Sequence, residues 1–409
     1  MKKIIVSFVA LFVIAGMVSF TIPAPTLAIA QGQGSDNLAR VLISFDKPVG
    51  PSEQALVRAH GGEIKYSYSI VDAIAATLPA GAIEGLSHNP HVTAVEMDGQ
   101  VYAADVELEN AWGVARIGAG TVHTNGNTGA GVKIGIIDSG INYTHPDLDG
   151  VYVSGYDFVQ SDNDPMDVYG HGTHVAGTAC AEGNGFGVVG VAPKCSLYSL
   201  RVLNDDGVGS WSAVIAAMQW AVDKGLQVVN LSLGSPKNPG RAVKNAFDNA
   251  EAKGIVIVAA AGNSGNKAGK GNNIIYPAKY ASVIAVGATD STDKRASFSS
   301  TGDTLELTAP GVSVLSTWND STSYLDPQPI CLDSVCYYKY GSGTSMASPH
   351  VAGVAALVIA AGVPDYNRDG VVNNRDVRAI LDATATDLGT AGKDAQYGYG
   401  LVNAVAATQ

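Results

Sequence analysis

The chain has 409 residues, of which 46% are hydrophobic and 15% are charged. This composition excludes an intrinsically disordered protein, and the length allows one large domain and one smaller domain. The formal net charge is −12, and no Lys/Arg-rich run follows the first three residues, so nucleic acids and anionic membrane surfaces are not expected as partners.

Residues 1–30 have the pattern of a secretory signal peptide. Two lysines precede an apolar run over 4–20, and a small-residue site, Ala-Ile-Ala, follows at 28–30. We predict cleavage near Ala30 and secretion to the extracellular space. The alternative is an uncleaved membrane anchor, because the apolar run is long. No later run is predicted to span a bilayer, so no stable membrane anchor is expected.

Residues 31–105 are predicted to form a small α+β domain. Strand-like stretches alternate with short helical stretches, and the helices end at a Gly pair and before a proline. The strand stretches are 40–45, 63–79 and 92–98, and the helical stretches are 51–62 and 80–90. The resulting order, β-α-β-β-α-β, is typical of a ferredoxin-like module.

From about Trp112 onward the sequence alternates between short apolar runs and helical segments. Such runs are typical of parallel strands that are buried on both faces. The strand runs are 132–138, 196–203, 226–234, 254–262 and 282–290, and the helical segments are 210–225 and 238–254. We therefore predict that 106–409 forms a three-layer α/β sandwich with a mainly parallel sheet. The tyrosine-rich segment 317–340 is predicted to be a loop.

The four cysteines predict two disulfide bonds, because an exported chain with an even number of cysteines can form them. The short spacing of Cys331 and Cys336 makes their loop the easiest to close, which leaves Cys180 to pair with Cys195. The alternative is that the cysteines are buried free thiols. None of them lies in a C-x-x-C pattern that would indicate a metal site.

Three polar residues stand at the end of a predicted strand or at a predicted helix start. Asp138 ends the apolar run "VKIGIID", and His171 and Ser345 each lie among small residues where a helix begins. Because ligands of open parallel sheets bind at strand ends and in the following loops, the three side chains are expected to converge. A serine hydroxyl needs a base, histidine supplies one near neutral pH, and a buried carboxylate fixes the histidine tautomer. The motifs therefore predict nucleophilic catalysis by Ser345.

The oxyanion formed in such a reaction needs two hydrogen-bond donors. The Ser345 N–H at a helix N-terminus is one candidate, and the side-chain amide of Asn263 is the other. Each residue also has a structural alternative: Asp138 and Asn263 suit turns, and Ser345 suits a helix N-cap. Their joint occurrence favours catalysis. His174 fits inside the helix and is predicted to be a packing residue.

Five segments, in order, resemble the subtilisin-like serine proteases, or subtilases. They are IGIIDSGINYTHPDL, GHGTHVAGT, VVNLSLG, VAAAGNSG and GTSMASPHVAG, and the resemblance covers roughly 107–409. The order Asp, His, Ser is that of subtilisin, whereas α/β-hydrolases have Ser, Asp, His. The resemblance implies a serine endopeptidase in which Asp138, His171 and Ser345 form the triad and Asn263 completes the oxyanion hole.

The resemblance also implies that residues 31–105 are an inhibitor-type propeptide. Such a segment assists folding, inhibits the enzyme transiently and is removed by the enzyme itself. We expect the cleaved junction within 100–107, in the stretch "QVYAADVE". The product is expected to be a monomer that acts on protein or peptide substrates.

In subtilases an extended peptide adds as a strand between two backbone edges, so recognition is largely through the main chain. The edges that match here are Gly207-Val208-Gly209 and Ser232-Leu233-Gly234. The pocket for the primary side chain is matched by Ala260, Ala261, Gly262 and Ser264. Ile275 stands where family members often have glycine, which predicts a shallower apolar pocket. The neutral Ser264 supplies no charge to attract a basic side chain.

The segment 365–376, "DYNRDGVVNNRD", has the spacing of a calcium-binding loop. Alternate positions carry oxygen ligands, and glycine takes the sharp-turn position. The candidate ligands are Asp365, Asn367, Asp369, the Val371 carbonyl, Asn373 and Asp376. Aspartate replaces the usual glutamate at position twelve, which is similar to the loop of dockerin modules. The alternative is a solvated Asn/Asp turn, and the single copy gives weak support for a cohesin partner.

Two further calcium sites follow from the resemblance. The first looks like the tight site of the family, with Asp147, Asn184 and the carbonyls of Glu182, Phe186 and Val188. The second is an acidic cluster that is similar to an additional site of thermostable members, formed by Asp157, Asp162, Asp164 and Asp167. A solvated acidic loop is the alternative for the second group.

Two other functions remain open from the sequence. One is a non-catalytic binding protein that keeps a protease fold and uses the calcium loop to dock a partner. The other is a serine esterase, which uses the same nucleophile on simple esters. The presence of all triad and oxyanion residues argues against the binding protein, whereas peptide turnover compared with simple ester turnover would test the esterase.

Overall fold

The computed structural model describes residues 38–98, 105–319, 330–332 and 335–409. The predicted signal peptide at 1–30 and most of the predicted cleavage junction lie outside the described residues. The chain divides into two compact units, one within 1–102 and the other within 103–409.

The first unit is a four-stranded antiparallel sheet with two helices. Its elements are β1 (Leu38–Phe45), α1 (Pro51–Ala59), β2 (Glu63–Ser67), β3 (Ala73–Pro79), α2 (Ala82–Ser87) and β4 (Val92–Met97). The strand order is β2-β3-β1-β4, and each neighbouring pair is antiparallel. The observed element order is the expected β-α-β-β-α-β, and the strand stretch predicted over 63–79 supplies its two consecutive strands, β2 and β3.

The second unit is built on a seven-stranded sheet in which all neighbouring strands are parallel. The strands are β5 (Lys133–Asp138), β6 (Tyr152–Asp157), β7 (Ser196–Arg201), β8 (Val228–Leu231), β9 (Val256–Ala260), β10 (Ile284–Thr289) and β11 (Leu307–Pro310). Their order is β11-β10-β9-β8-β5-β7-β6. All five predicted strand runs contain one of these strands, so the parallel sheet is confirmed.

Helices cover both faces of this sheet. They are α3 (Val106–Asn110), α4 (Trp112–Arg116), α5 (Ala119–Thr124), α6 (His171–Cys180), α7 (Trp211–Asp223), α8 (Arg241–Ala252), α9 (Thr344–Ala361), α10 (Asn374–Thr384) and α11 (Ala404–Ala407). Side chains of one strand alternate between two hydrophobic cores: Ile134 and Ile136 pack with α6 and α9, and Ile137 packs with α7 and α8. The unit is therefore the predicted three-layer α/β sandwich.

Helix α9, which has Ser345 in its first turn, runs through the middle of the first of these cores. Among the described residues it is the one helix long and apolar enough to cross a membrane, which differs from the sequence expectation. However, 78% of its apolar window is buried inside the protein. Its largely apolar surface is thus explained by packing on all sides.

The prediction of a loop over 317–340 is wrong for the described part of this segment. It contributes two strands, β13 (Ile330–Leu332) and β14 (Val335–Gly341), which form an antiparallel sheet with β12 (Val314–Thr317) in the order β12-β14-β13. The tyrosine side chains gave no clear alternation, and the pairing depends on β12, which the sequence analysis did not identify.

Both predicted disulfide bonds are present. Cys180 pairs with Cys195, and Cys331 pairs with Cys336. The first joins the end of α6 to the residue that precedes β7, and the second joins β13 to β14. No free cysteine occurs in the described chain.

Candidate active site

Asp138 and His171 form a hydrogen-bonded pair at the carboxyl end of the central sheet, with Asp138 buried and His171 partly exposed. Asp138 ends β5 and is fully buried, and its Oδ1 accepts a hydrogen bond from His171 Nδ1 at 2.7 Å. The Ser139 N–H donates to the same oxygen at 2.8 Å, which fixes the carboxylate. The bond to Nδ1 leaves Nε2 as the nitrogen available for proton transfer.

The two carboxylates near His171 control its protonation. Burial alone would lower the pKa of His171, but the charge and hydrogen bond of Asp138 and the charge of Asp167 together raise it above its ordinary value. His174, by contrast, is buried, and its Nε2 lies 3.0 Å from the carbonyls of Val314 and Lys339. Burial lowers the pKa of His174 to about 3, as suits the predicted packing residue.

Ser345 lies in the first turn of α9 and is tied to the loop that follows β8. Its Oγ donates to the Ser232 carbonyl at 3.2 Å, and Ser232 Oγ donates back to the Ser345 carbonyl at 2.8 Å. Ser232 and His171 line the same open cleft. In the described chain, Ser345 Oγ is therefore bonded to Ser232 rather than to His171, and such catalytic bonds often tighten only with substrate in place.

Asn263 and the start of α9 form a pair of donors. Asn263 Oδ1 accepts hydrogen bonds from Thr344 N and Thr344 Oγ1 at 2.9 and 3.0 Å, which fixes the amide and leaves its Nδ2 to donate. A Cβ built on Gly343 would lie 3.3 Å from Asn263 Nδ2 and 3.6 Å from Ser345 N. Both donors thus flank one point in space, as an oxyanion hole requires.

The two predicted peptide-binding edges face one cleft. The cleft is lined by both segments, 207–209 and 232–234. Trp211 and Val214 of α7 add an apolar wall. The structure therefore brings together the residues predicted for main-chain recognition.

The pocket residues are placed less uniformly. Ile275 is the side chain nearest to two of the glycines: a Cβ on Gly234 would lie 2.7 Å from its Cδ1, and one on Gly262 would lie 3.0 Å from its Cγ2. Ile275 therefore fills the space between these segments. Ser264 is exposed, whereas Ala260 at the end of β9 and Ala261 after it are buried and offer no side chain to a substrate.

Asp147 is the strongest candidate for holding a cation. It is fully buried, and its Oδ2 accepts hydrogen bonds from Val188 N and Tyr338 Oη at 3.1 and 3.0 Å. Its Oδ1 is buried and has no partner in the described part of the chain. Burial, with the nearby charge of Glu107, raises the pKa of Asp147 to about 7. A hard cation would compensate this carboxylate, so the residues fit calcium.

The loop at 182–188 surrounds the same carboxylate. Glu182 N donates to the Asp147 carbonyl at 2.9 Å, and Asn184 Oδ1 accepts from Phe186 N at 3.4 Å. Glu107, which the sequence analysis missed, accepts from Asn184 N and Gly185 N at 2.9 and 3.0 Å. An acidic residue at the start of the second unit was the only available signal.

The loop at 365–376 is a self-satisfied turn in the structure. Asp365 accepts from Asp369 N and Gly370 N at 3.1 and 3.0 Å, and Asn367 Oδ1 also accepts from Asp369 N, at 2.9 Å. Asn373 caps α10, and the buried Asp376 accepts from the N–H groups of residues 366, 367 and 373. Gly370 has φ +87°, as the sharp turn of a calcium loop requires, and Val371 is exposed.

The acidic cluster predicted at 157–167 does not assemble. Asp157 is buried in an ion pair with Arg201, and Asp162 accepts from Asp164 N at 2.9 Å. Asp164 accepts from Tyr143 Oη at 2.7 Å, and Asp167 turns towards α6. Across the described ranges, no three or more His, Cys, Asp or Glu side chains form a group that could hold a metal. Arg201 already compensates the buried charge of Asp157, so the described side chains give this predicted site no support.

Comparison with known proteins places the chain in a family. A model described as the subtilase family matches residues 129–400. Subtilisin J of Geobacillus stearothermophilus is 38% identical over 397 residues, 95% of this chain and 96% of that protein. Subtilisin E of Bacillus subtilis (strain 168) is 40% identical over 388 residues, 93% of each. Subtilisin DY of Bacillus licheniformis is 48% identical over 298 residues, 73% of this chain and 98% of that protein. The chain therefore belongs to the subtilase family and is a serine endopeptidase.

Proposed function

We propose that this chain is a secreted, calcium-stabilised endopeptidase that is made as a precursor and hydrolyses peptide bonds with Ser345, His171 and Asp138. The hydrogen bond of 2.7 Å between the buried Asp138 and His171 is the observation that carries the proposal. It holds the imidazole in the tautomer that can accept a proton at Nε2.

In the proposed mechanism, Ser345 Oγ attacks the substrate carbonyl while His171 takes its proton. Asp138 orients His171 and stabilises the imidazolium. The Asn263 amide and the Ser345 N–H donate to the oxyanion, and His171 then returns the proton to the leaving amine. Water then attacks the acyl group on Ser345 with His171 as the base, and His171 returns the proton to Ser345 Oγ as the acyl product leaves.

The rate should depend on pH through His171. Only the neutral imidazole accepts the serine proton, so activity is present above the pKa of His171 and is lost as the pH falls through it. Because Asp138 and Asp167 raise this pKa, the loss begins at a higher pH than for an unperturbed histidine. A flat rate from neutral pH down to about pH 4 would contradict the neutral base.

Autoprocessing tests the proposal most directly. The intact mass of the refolded precursor would be followed with calcium present, beside a Ser345→Ala variant. We expect only the wild type to split near residue 105. If both stay whole, the self-cleaving role fails and labelling with a fluorophosphonate decides whether Ser345 is reactive or the chain acts as a binding protein. If both split, Ser345 is not the nucleophile of this step.

Ile275 is proposed to set the preference for the residue on the N-terminal side of the cleaved bond. Its side chain lies between Gly234 and Gly262, so small and mid-sized apolar residues should be preferred. We expect Ile275→Gly to raise kcat/KM for peptides with Phe or Tyr at that position by about tenfold or more. The matched peptide with Ala serves as the control. A wild type that cleaves after Phe or Tyr but not after smaller residues would refute the assignment.

Calcium is proposed to bind with Asp147, Asn184 and the carbonyls of Glu182, Phe186 and Val188. Glu107 lies close enough to add a second negative charge. The ion supplies positive charge to a buried carboxylate and stabilises only the folded chain. A weaker site at 365–376 is proposed from its ligand spacing and its left-handed glycine.

Peptide turnover compared with simple ester turnover separates the endopeptidase from an esterase.

A further inference from the structure

A network of buried hydrogen bonds lies directly behind the catalytic pair. Asp167 is 4% exposed, and its Oδ1 accepts hydrogen bonds from Ser139 Oγ at 2.9 Å and from Gly170 N at 2.8 Å. Its Oδ2 accepts from Thr173 N at 2.9 Å and Thr173 Oγ1 at 2.6 Å. Four donors converge on this one carboxylate, which places it at the start of α6.

Ser139 links this carboxylate to Asp138. Its N–H donates to Asp138 Oδ1, and its Oγ accepts from Gly172 N at 2.9 Å while donating to Asp167. Helix α6 starts with His171, so the N–H groups on either side of the histidine are bound to the network. The positions of Asp138 and His171 are therefore tied together by Ser139 and Asp167 as well as by their own bond.

The backbone around the network is packed too tightly to shift independently. A Cβ on Gly172 would lie 2.1 Å from the Gly140 carbonyl and 3.1 Å from Asp138 Cβ. A Cβ on Gly140 would lie 2.6 Å from the Pro165 carbonyl, and Gly140 has φ +109°. The helix start, the end of β5 and the loop carrying Asp167 are thus in direct contact.

We propose that Asp167 is a positioning residue of the catalytic site, which fixes the start of α6 so that His171 faces both Asp138 and Ser345 and which supplies a second negative charge behind the imidazole. The proposal rests on the assignment of His171 as the general base. It gives Asp167 a role different from the metal ligand that the sequence suggested.

Few titratable groups act on His171 from the elements packed around it. Asp138 lies at the end of β5, Asp167 lies in the loop before α6, and His174 lies one turn further along α6. Tyr169 lines the same cleft. With its low pKa, His174 is neutral at working pH, so the two carboxylates are the charges that raise the pKa of His171. Burial raises the pKa of Asp167 itself, but all four of its hydrogen-bond partners donate to its oxygens, which favours the ionised carboxylate.

The test is the pH profile of kcat/KM for Asp167→Asn beside Asp164→Asn. Asp164 is exposed and three residues away, so its variant removes the same charge without touching α6. We expect Asp167→Asn to move the acidic limb to lower pH, because the charge that favours the imidazolium is gone. Its kcat should fall by about ten- to one-hundredfold with KM nearly unchanged, because a displaced base slows the chemical step. Asp164→Asn should change neither quantity.

Two results would overturn the role. One is an Asp167→Asn enzyme whose acidic limb and kcat match the wild type. The other is a lowered melting temperature together with an unmoved acidic limb, which would make Asp167 purely structural. If Asp167→Asn yields no folded enzyme, Ser139→Ala is measured instead, and an unchanged kcat in that variant would reject the network. Failure of the proposed function itself would appear differently, as a wild type without Ser345-dependent activity.

Discussion

Two acidic loops of the second unit, the one with Asp147 and the one at 365–376, both match patterns of calcium ligands. Their carboxylates differ in burial and in hydrogen bonding. Asp147 is buried, has one oxygen without a partner in the described chain, and has a pKa raised to about 7. The loop at 365–376 is mostly exposed, and both oxygens of Asp365 and of Asp376 accept backbone N–H groups. Backbone hydrogen bonds, countering the effect of burial, lower the pKa of Asp376.

The difference shows what a ligand pattern means physically. Acidic residues at alternate positions favour a turn, and a turn can satisfy its own carboxylates with its own N–H groups. A buried carboxylate with an unused oxygen has no such solution, so it gains most from a cation. Spacing therefore identifies candidate loops, and burial ranks them.

The largest effect is expected from Asp147. In a Ser345→Ala background, which prevents self-digestion, calcium at one hundred times its Kd should stabilise the fold by about 2.7 kcal/mol. Asp147→Asn should abolish this increment, measured as the melting temperature with calcium and with excess chelator. Asp149→Asn, an exposed neighbour, is the control and should keep it. In the active enzyme, chelation should also promote self-digestion. A wild-type melting temperature that does not change with excess chelator would contradict a stabilising calcium site at Asp147.

A smaller effect is expected from Tyr338, whose hydroxyl donates to Asp147 at 3.0 Å. Tyr338→Phe removes a hydrogen bond to a charged oxygen, so calcium should bind about tenfold more weakly. The measurement is a calorimetric calcium titration. Tyr340→Phe provides the control, because Tyr340 lies on the same strand and is 56% exposed. Equal affinities in all three proteins would show that the phenol has no part in the site.

The smallest effect is expected from Asp365. Asp365→Asn should reduce the calcium-dependent stabilisation by less than about 1 kcal/mol, since exposed charges are screened by solvent and salt. The same melting experiment measures it against Asp149→Asn. A loss as large as that of Asp147→Asn would invert the ranking and make 365–376 the main calcium site.

The sequence predicted the framework well because its signals are local. Apolar runs predicted five of the seven parallel strands but not β6 and β11, and short spacing predicted the Cys331–Cys336 bond. It also predicted the Asp138–His171 pair, because strand ends of a parallel sheet share an edge.

The features that it missed depend on partners distant in the chain. Asp167 meets Ser139 across 28 residues, and Glu107 meets Asn184 across 77. Strand β14 is recognisable only beside β12. An acidic residue looks the same in a sequence whether it is a buried carboxylate with one unpartnered oxygen, the partner of an arginine or the acceptor at a helix start, as Asp147, Asp157 and Asp167 respectively show in the described chain.

The space left by Gly343 has one more consequence. With φ of 165°, its backbone is extended, so an alanine there would cause no strain. The added methyl carbon would stand 3.3 Å from Asn263 Nδ2, where the oxyanion is proposed to bind. A single methyl group would then occupy the proposed oxyanion site. We expect a Gly343→Ala variant to fold normally and to lose its peptidase activity.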